Sequence, residues 1–421
     1  MKDKQLEALI RAEAKRQQET IDLIPSENIV SRAVLRAVGS ELINKYSEGY
    51  PKKRYYAGNA VADSVELLAQ ERARKVFRLN KNWHVNVQPY SGSPANMAVY
   101  YALLQPGEKI MGMSLLFGGH LTHGWKVNFS ARFYQAVQYT VSRAGYIDYT
   151  GVRKLARKEK PKIIVTGATA YPRFFDFRKF RKIADEVGAY LLTDISHIAG
   201  LIAAGAHPSP FSASGGQAHA DIVTTTTHKT LRGPRGAIIF VNRKSQIANR
   251  NGIDIANAID KAVFPGLQGG PHDNQTAAIA AALFEAAQPA FKKYGHQIVK
   301  NARALAKALT KRGFILVSGG TDNHLMLIDL TSAGISGREA QDILEESGIV
   351  VNRNTIPYEA RSPFDPSGIR LGTPSLTTRG MKEKDMQTVA NLIYRVLVRK
   401  ETPAVISQEV KQLCKKFPIN R

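Results

Sequence analysis

The chain has 421 residues, of which 43% are hydrophobic and 22% are charged, a globular composition with enough length for two or three domains. Lys and Arg outnumber Asp and Glu by 59 to 35, and this formal net charge of +24 would suit nucleic acid, an acidic membrane surface or anionic small substrates. The single cysteine, Cys414, excludes a disulfide framework and a cysteine-based metal site, and favours a reducing cytoplasm.

The first predicted element is an amphipathic helix over residues 2–18, where apolar positions recur at helical spacing among charged residues. From Trp83 onward, short apolar runs alternate with helical patterns, which predicts βαβ units and a mostly parallel sheet. A long helical pattern covers residues 274–309, and we expect Pro289 to bend or restart it. A smaller α/β unit follows, with a final helix from about Glu383. We therefore expect a helical arm over residues 1–45, a large domain over 46–271 and a small C-terminal domain over 272–421.

Membrane association is not expected from this sequence. The N-terminal segment carries charges throughout and lacks an apolar signal core. The longest apolar stretch, "LLTDISHIAGLIAAGAH", contains Asp194 and His197 and is too short to span a bilayer.

Polar side chains follow the predicted strands at the positions where open α/β sheets bind ligands. Asp194 ends "YLLTD", His197 comes soon after it, and Lys229 follows the four threonines of "DIVTTTTHK". An acid and a lysine on two strand ends suit pyridoxal phosphate (PLP), which needs a lysine Schiff base and an acidic partner for its pyridinium nitrogen. We expect the threonine strand to be stiff, with its hydroxyls near the cofactor phosphate and the lysine. A solvated loop lysine is the alternative.

Two further stretches could bind the cofactor. "YSGSPAN" sets Ser91, Gly92 and Ser93 before a helical run, where hydroxyls and backbone N–H groups could bind an anion, although a plain helix cap would look the same. "GGHLTHG" contains two histidines, and a metal site there would need a third ligand. We favour a histidine lying flat on a bound aromatic ring, with an ordinary core or loop histidine as the alternative.

Two charged residues could act on a substrate. Glu48 lies in the irregular "KYSEGYPKKRYYAGN" and could be an acid or base, or part of a surface loop. Arg370, in "SGIRLGTP", is expected to end a short strand, and its planar guanidinium suits an α-carboxylate unless its role is structural.

Together these stretches closely resemble the serine hydroxymethyltransferase (glycine hydroxymethyltransferase) family of PLP-dependent enzymes. The resemblance covers roughly residues 23–381 and includes, in the family's order, "LIPSEN", "NKYSEGYPKKRYYAGN", "NVQPYSGSPAN", "GGHLTHG", "TDISHIAGLIAAG", "FPGLQGGP", "SGGTDNHL" and "SPFDPSGIRLGTP". It implies an α/β protein of fold type I, with a mostly parallel central sheet in the PLP-binding domain. The implied reaction passes the serine hydroxymethyl group reversibly to tetrahydrofolate through a PLP aldimine, giving glycine and 5,10-methylenetetrahydrofolate. A cytoplasmic homodimer with shared active sites is also implied, with a tetramer as the other option.

The resemblance further implies a role for individual residues, and it implies no metal site. Lys229 would form the Schiff base, Asp194 would pair with the pyridinium nitrogen, His120 would stack on the ring and His197 would contact the 3′-oxygen region. The implied catalytic residues are Lys229, Glu48, Asp194, His120, His228 and Tyr56. The remaining cofactor contacts are Ser91, Gly92, Ser93, Thr169, Thr226 and His228 of one subunit, with Tyr46 and Gly269 or Gly270 of the other. Serine would meet Ser26, Tyr55, Tyr56, Arg235 and Arg370. Folate would meet Glu48, Leu115, Gly119, His120, Leu121, Asn354, Ser362, Pro363 and Phe364.

Two other functions stay open at this point. A folate-independent PLP aldolase acting on 3-hydroxy amino acids would use the same core chemistry, but it has no need of Glu48 or of the "SPF" at residues 362–364. A nucleic-acid-binding protein would use the net charge of +24, but it needs a basic stripe with interleaved aromatic residues, and here the basic residues are scattered. Nucleic acid is therefore not expected as the primary partner.

Overall fold

The fold is known from a computed structural model, which describes residues 2–211, 218–250 and 252–419. Its strands are β1 (Ile21–Asp22), β2 (Gly49–Tyr50), β3 (Lys53–Arg54), β4 (Trp83–Asn86), β5 (Lys109–Met113), β6 (Gln135–Tyr139), β7 (Ile163–Thr166), β8 (Tyr190–Asp194), β9 (Ile222–Thr226), β10 (Ala237–Asn242), β11 (Ile315–Leu316), β12 (Leu325–Asp329), β13 (Ile349–Val350), β14 (Asn352–Asn354) and β15 (Gly368–Gly372). Its α-helices are α1 (Lys4–Glu19), α2 (Arg32–Val38), α3 (Ala60–Val76), α4 (Gly92–Leu103), α5 (Phe129–Phe133), α6 (Tyr149–Glu159), α7 (Phe177–Val187), α8 (Ala199–Ala204), α9 (Gln246–Arg250), α10 (Ile255–Lys261), α11 (Asp273–Ala286), α12 (Pro289–Thr310), α13 (Gly337–Glu346), α14 (Pro374–Thr378), α15 (Glu383–Leu397) and α16 (Pro403–Lys416).

A mostly parallel sheet forms the centre of the large domain. Over the described residues it has seven strands in the order β4-β10-β9-β8-β7-β5-β6. The strands β9, β8, β7, β5 and β6, adjacent in that order, are parallel to one another. In contrast, β10 is antiparallel to both of its neighbours, β9 and β4. The predicted α/β fold with a mostly parallel sheet is confirmed.

Both faces of this sheet are buried, because side chains alternate along each strand and helices cover either side. In β10, Ile238 and Phe240 pack into one hydrophobic cluster, while Ile239 and Val241 pack into another on the opposite face. The β9 strand is buried at every position, which holds its carboxyl end, and the lysine after it, in a rigid frame.

The C-terminal unit has its own antiparallel sheet, in the order β11-β12-β15-β14. The N-terminal segment joins this unit, since Ile21 pairs with Ile349 and both Ile21 and Leu23 belong to the C-terminal hydrophobic cluster. Arg379 ties the segment down, because its guanidinium donates to carbonyl oxygens at the ends of both α1 and α16. The domain boundaries at residues 45 and 271 stay a prediction.

The long helical pattern is divided as expected, because α11 ends at Ala286 and α12 begins at Pro289. The expectation that the helix near Glu383 would be the last one was wrong, since α16 follows it. Ile406 and Val410, one helical turn apart, are buried in α16 and carried that signal in the sequence. Among the described residues, no helix combines the length and apolar character needed to cross a bilayer.

Candidate active site

A cleft opens where β7, β8 and β9 end, the edge at which open α/β sheets bind ligands. Most of the predicted site residues come together there. The cleft is lined by Ser26, Ser91, Gly92, Ser93, Leu115, His120, Leu121, Thr169, Asp194, His197, Thr226, His228, Lys229, Arg235, Asn354 and Arg370. Its lining also includes Glu27, His123, Ala168 and Ser196, which the sequence analysis did not single out.

Lys229 follows β9 and is buried in this cleft. Burial lowers the pKa of its amine to about 8, an effect that Asp194 partly opposes and that Arg370 reinforces. The lysine backbone is held from outside the sheet, since Asn28 Nδ2 donates to the Lys229 carbonyl oxygen at 3.0 Å. A buried lysine with a lowered pKa has a readily available neutral amine, which is the form that attacks a carbonyl.

Part of the threonine run before Lys229 lies where we expect the cofactor phosphate and the lysine. Thr226 lines the cleft. Thr224 donates instead to Asn96 Oδ1 at 2.7 Å, Thr225 to the Thr226 carbonyl oxygen and Thr227 to the Pro234 carbonyl oxygen. Thr225 faces the side of the sheet opposite to Thr226, whereas Thr224 shares the face of Thr226 and contacts Asn96, which in turn donates to Asp194.

Asp194, at the end of β8, is held as a buried carboxylate. Its Oδ2 accepts from Asn96 Nδ2 at 2.9 Å and lies 3.3 Å from His123 Nε2, while Oδ1 accepts from the Ser196 N–H at 3.0 Å. Burial would raise the pKa of Asp194, but the hydrogen bond and charge of His123, with weaker help from His120 and Ser196, hold that pKa below its usual range. Asn96 and His123 were missed by the sequence analysis, although His123 is the second histidine of "GGHLTHG".

The fold also brings together a third group that a metal site would need. Ligand atoms of His120, His123 and Asp194 lie within 4.8 Å of one another. All three groups already have partners, because His120 Nδ1 is 2.7 Å from Thr122 Oγ1, His123 Nδ1 accepts from the His120 N–H and Asp194 Oδ2 accepts from Asn96. Burial lowers the pKa of His120 to about 4, so its ring is neutral and suited to stacking. The prediction that the chain uses no metal stays a prediction.

The part of the cleft at the N-terminus of α4 is suited to an anion. Ser91 is the N-cap residue of α4, and its side chain makes no capping hydrogen bond. His228 Nδ1 is buried and lacks a hydrogen-bond partner among the described residues. Burial, with the charge of Lys229, lowers the pKa of His228 to about 3, so the ring is a neutral donor or acceptor. A Cβ at Gly92 would lie 2.7 Å from Thr226 Cγ2, so a larger residue would crowd the cleft at the α4 N-terminus, where the first helix N–H groups lack intrahelical partners.

Arg370 reaches the cleft from the C-terminal sheet. It lies in the middle of β15, not at the strand end that we expected. Its Nε donates to Asn352 Oδ1 at 3.1 Å and its Nη1 donates to the Thr169 carbonyl oxygen. Burial lowers the pKa of the guanidinium to about 10, so it keeps its charge at neutral pH. A charged, fixed guanidinium beside Lys229 suits a substrate carboxylate.

A second group of predicted residues lies apart from this cleft and is called the tyrosine cluster: Tyr46, Glu48, Tyr55, Tyr56, Gly269 and Gly270. None of them is among the described residues that line the cleft. The Tyr46 hydroxyl donates to Glu48 Oε1 at 3.3 Å, and a Cβ at Gly270 would lie 3.3 Å from the Tyr46 ring. Tyr46, Tyr55 and Tyr56 are 55%, 72% and 49% exposed, so the cluster faces outward.

Some of the predicted folate-binding residues line the cleft, and others lie outside its lining. Leu115, Leu121 and Asn354 line the cleft. Gly119 does not, and its role is in the backbone, because its carbonyl oxygen accepts from Thr169 Oγ1 at 2.8 Å and a Cβ there would lie 1.9 Å from the Met113 carbonyl oxygen. The segment of Ser362, Pro363 and Phe364 is outside the cleft lining, and Phe364 is 81% exposed.

Comparison with known proteins gives a consistent result. The family model described as "Serine hydroxymethyltransferase" matches residues 1–393. Proteins named serine hydroxymethyltransferase include one from Desulfotalea psychrophila, 54% identical over 419 residues that cover 99% of this chain and 94% of the relative. The one from Acidothermus cellulolyticus is 54% identical over 97% of this chain and 94% of its own length, and the one from Sorangium cellulosum is 53% identical over 99% and 95%.

Proposed function

The chain belongs to the serine hydroxymethyltransferase family, and we propose that the cleft around Lys229 carries out the reaction for which the family is named. That reaction transfers the hydroxymethyl group of serine reversibly to tetrahydrofolate and yields glycine and 5,10-methylenetetrahydrofolate. The observation that carries the assignment is the buried lysine of lowered pKa, which shares its cleft with the buried carboxylate of Asp194. The folate-independent aldolase is not favoured, because the family and the named relatives are hydroxymethyltransferases.

The cleft has the groups that PLP requires. Lys229 would hold the cofactor covalently, and the carboxylate of Asp194 would keep a proton on the ring nitrogen. His120 would lie against the ring, and Ser91, Gly92, Ser93 and His228 would bind the phosphate at the α4 N-terminus. When bound, PLP supplies an electron sink for the bond that breaks between Cα and Cβ of serine.

Residues that line the cleft would bind the serine carboxylate and part of the folate. Arg370, fixed by Asn352 and the Thr169 carbonyl group, would bind the serine carboxylate, with Ser26 on the same wall. Leu115, Leu121 and Asn354 would contact the folate, with Gly119, Ser362, Pro363 and Phe364 as the remaining predicted contacts. The family resemblance supports these assignments.

The tyrosine cluster would complete the cleft of a second copy. Glu48 is the predicted group for moving a proton between the serine hydroxyl and the folate, yet it lies with Tyr46 and the Gly269–Gly270 loop and outside the lining of its own cleft. The outward exposure of Tyr46, Tyr55 and Tyr56 supports a homodimer in which each copy donates this cluster to its partner.

We place this enzyme in the cytoplasm, since its single cysteine is buried and cannot serve a disulfide framework.

Absorbance of the purified protein tests the proposal. PLP should give a visible band that Lys229→Ala abolishes, glycine should shift that band, and tetrahydrofolate should strongly enhance the response to glycine. A band that responds to glycine but ignores tetrahydrofolate would support the aldolase. Wild-type protein without any such band would overturn the assignment of Lys229.

A further inference from the structure

Two buried histidines from distant parts of the chain meet behind the cleft. His197 follows β8 and lines the cleft, whereas His324 directly precedes β12 and is 0% exposed. Their ring centroids are 5.5 Å apart with 29° between the ring planes, and His197 Nδ1 is 3.3 Å from His324 Nε2. The contact therefore links the central sheet to the C-terminal sheet at the site itself.

Both rings are neutral. Burial, with the nearby positive charges of Lys229 and Arg370, lowers the pKa of His197 well below its usual range. Burial, followed by the charge of Arg370, lowers the pKa of His324 to about 3. Each neutral ring carries one N–H, and the contact between the two rings needs one donor and one acceptor.

The surroundings of His324 decide which nitrogen donates. His324 Nδ1 is buried and has no hydrogen-bond partner among the described residues. A buried N–H without an acceptor is rarer in proteins than a buried acceptor without a donor, so the proton of His324 belongs on Nε2. That N–H then donates to His197 Nδ1, and the proton of His197 is left on its Nε2.

We propose that His324 is a positioning residue that holds His197 in the tautomer with its proton on Nε2, so that His197 offers an N–H to an anionic oxygen of the cofactor. This inference rests on the proposed function, because the acceptor is the ring 3′-oxygen of PLP that the family resemblance assigns to His197. His324 does not line the cleft and acts only through His197. A donor fixed in advance binds an anionic oxygen without first having to reorient.

The first test is nitrogen-15 NMR of the histidine rings in the apoenzyme, which reports tautomers without any cofactor. The wild-type spectrum should assign the proton to Nε2 in both His197 and His324. In His324→Leu, the His197 signals should move toward the averaged values of an unpaired imidazole. In His324→Gln they should stay, because the Gln side-chain amide can place an N–H near the position of Nε2. A wild-type His197 protonated on Nδ1, or unchanged His197 signals in His324→Leu, would overturn the inference.

The second test is PLP affinity, measured by titration of the apoenzymes. His324→Leu should bind PLP more weakly, by up to about tenfold, the value of the whole hydrogen bond that His197 no longer holds in place, and His324→Gln should restore most of the affinity. His207→Leu is the matched control, since His207 is likewise a buried histidine outside the cleft lining, but its Nδ1 pairs with the Pro208 carbonyl oxygen and not with His197. Equal affinity in His324→Leu and His207→Leu would overturn the inference.

Two further comparisons keep the tests decisive. If His324→Leu does not fold, His324→Gln is compared with His324→Asn, whose shorter amide cannot reach His197, and equal PLP affinity of these two variants would overturn the inference. Wild-type protein that fails to bind PLP would instead contradict the proposed function, while the NMR spectra would still test the pairing of the two histidines.

Discussion

From the lowered pKa of Lys229 we predict the fraction of its amine that is neutral in the apoenzyme. An ordinary lysine has a pKa of 10.5, whereas burial brings that of Lys229 to about 8. At pH 8 about half of the Lys229 amines would be neutral, against roughly 0.3% of ordinary lysines, so the neutral amine is enriched ~150-fold. The corresponding difference in the free energy of protonation is about 3 kcal/mol.

Two substitutions near Lys229 should shift its pKa in opposite directions, because they remove charges of opposite sign. The carboxylate of Asp194 favours the ammonium form, so Asp194→Asn should lower the pKa of Lys229 further. The guanidinium of Arg370 disfavours that form, so Arg370→Leu should raise the pKa of Lys229 toward its ordinary value.

The assay is acetylation of the apoenzyme by a trace of acetic anhydride across a pH series, with the Lys229 peptide quantified by mass spectrometry. A free lysine derivative in the same tube corrects for the pH dependence of the reagent. Reactivity of Lys229 should fall about tenfold per pH unit well below pH 8 and level off above it. A midpoint near the ordinary lysine value, or shifts of the opposite sign in the two variants, would refute this description of the site.

Three other changes have definite expected results. In steady-state kinetics, Arg370→Leu should raise the KM for serine by about 10- to 100-fold, which corresponds to the loss of a charge-assisted hydrogen bond. Arg370→Lys should recover only part of the lost affinity for serine. An unchanged KM in Arg370→Leu would exclude Arg370 from carboxylate binding. Glu48→Gln should leave glycine binding intact in spectral titrations but lower folate-dependent turnover by ~10²- to 10⁴-fold, and normal turnover would exclude Glu48 from proton transfer. Gly119→Ala should lower the free energy of unfolding by about 1–3 kcal/mol, because its Cβ would meet the Met113 carbonyl oxygen, and a denaturant titration with no change would contradict that close approach.

Local patterns in the sequence predict much of this fold. Side-chain periodicity is a property of neighbouring residues, so the alternation of strands and helices and the helix restart at Pro289 could be read directly. The strand-end rule likewise predicts that Asp194 and Lys229 meet at one edge of the sheet. The direction of β10 could not be read, because side chains alternate with the same period in parallel and antiparallel strands.

Contacts between distant residues could not be predicted in this way. His324 meets His197 across 127 positions, and Asn96 meets Asp194 across 98 positions. Neither pairing leaves a periodic signal, because it depends on how whole elements pack. The tyrosine cluster is a third case, because the family resemblance, and no local pattern, places Tyr46 and the Gly269–Gly270 loop at the cleft of the other copy.

We propose that each active site combines Lys229 of one copy with Glu48 of its partner, and mixing two inactive variants tests this arrangement. Lys229→Ala and Glu48→Gln are unfolded together in equal amounts, refolded with PLP and assayed for folate-dependent turnover, with each variant refolded alone as the control. Random pairing makes half of the dimers mixed, and each mixed dimer holds one intact site, so turnover should return to about a quarter of the wild-type value. Mixed protein that contains heterodimers but stays as inactive as the separate variants would show that each site is built within one copy.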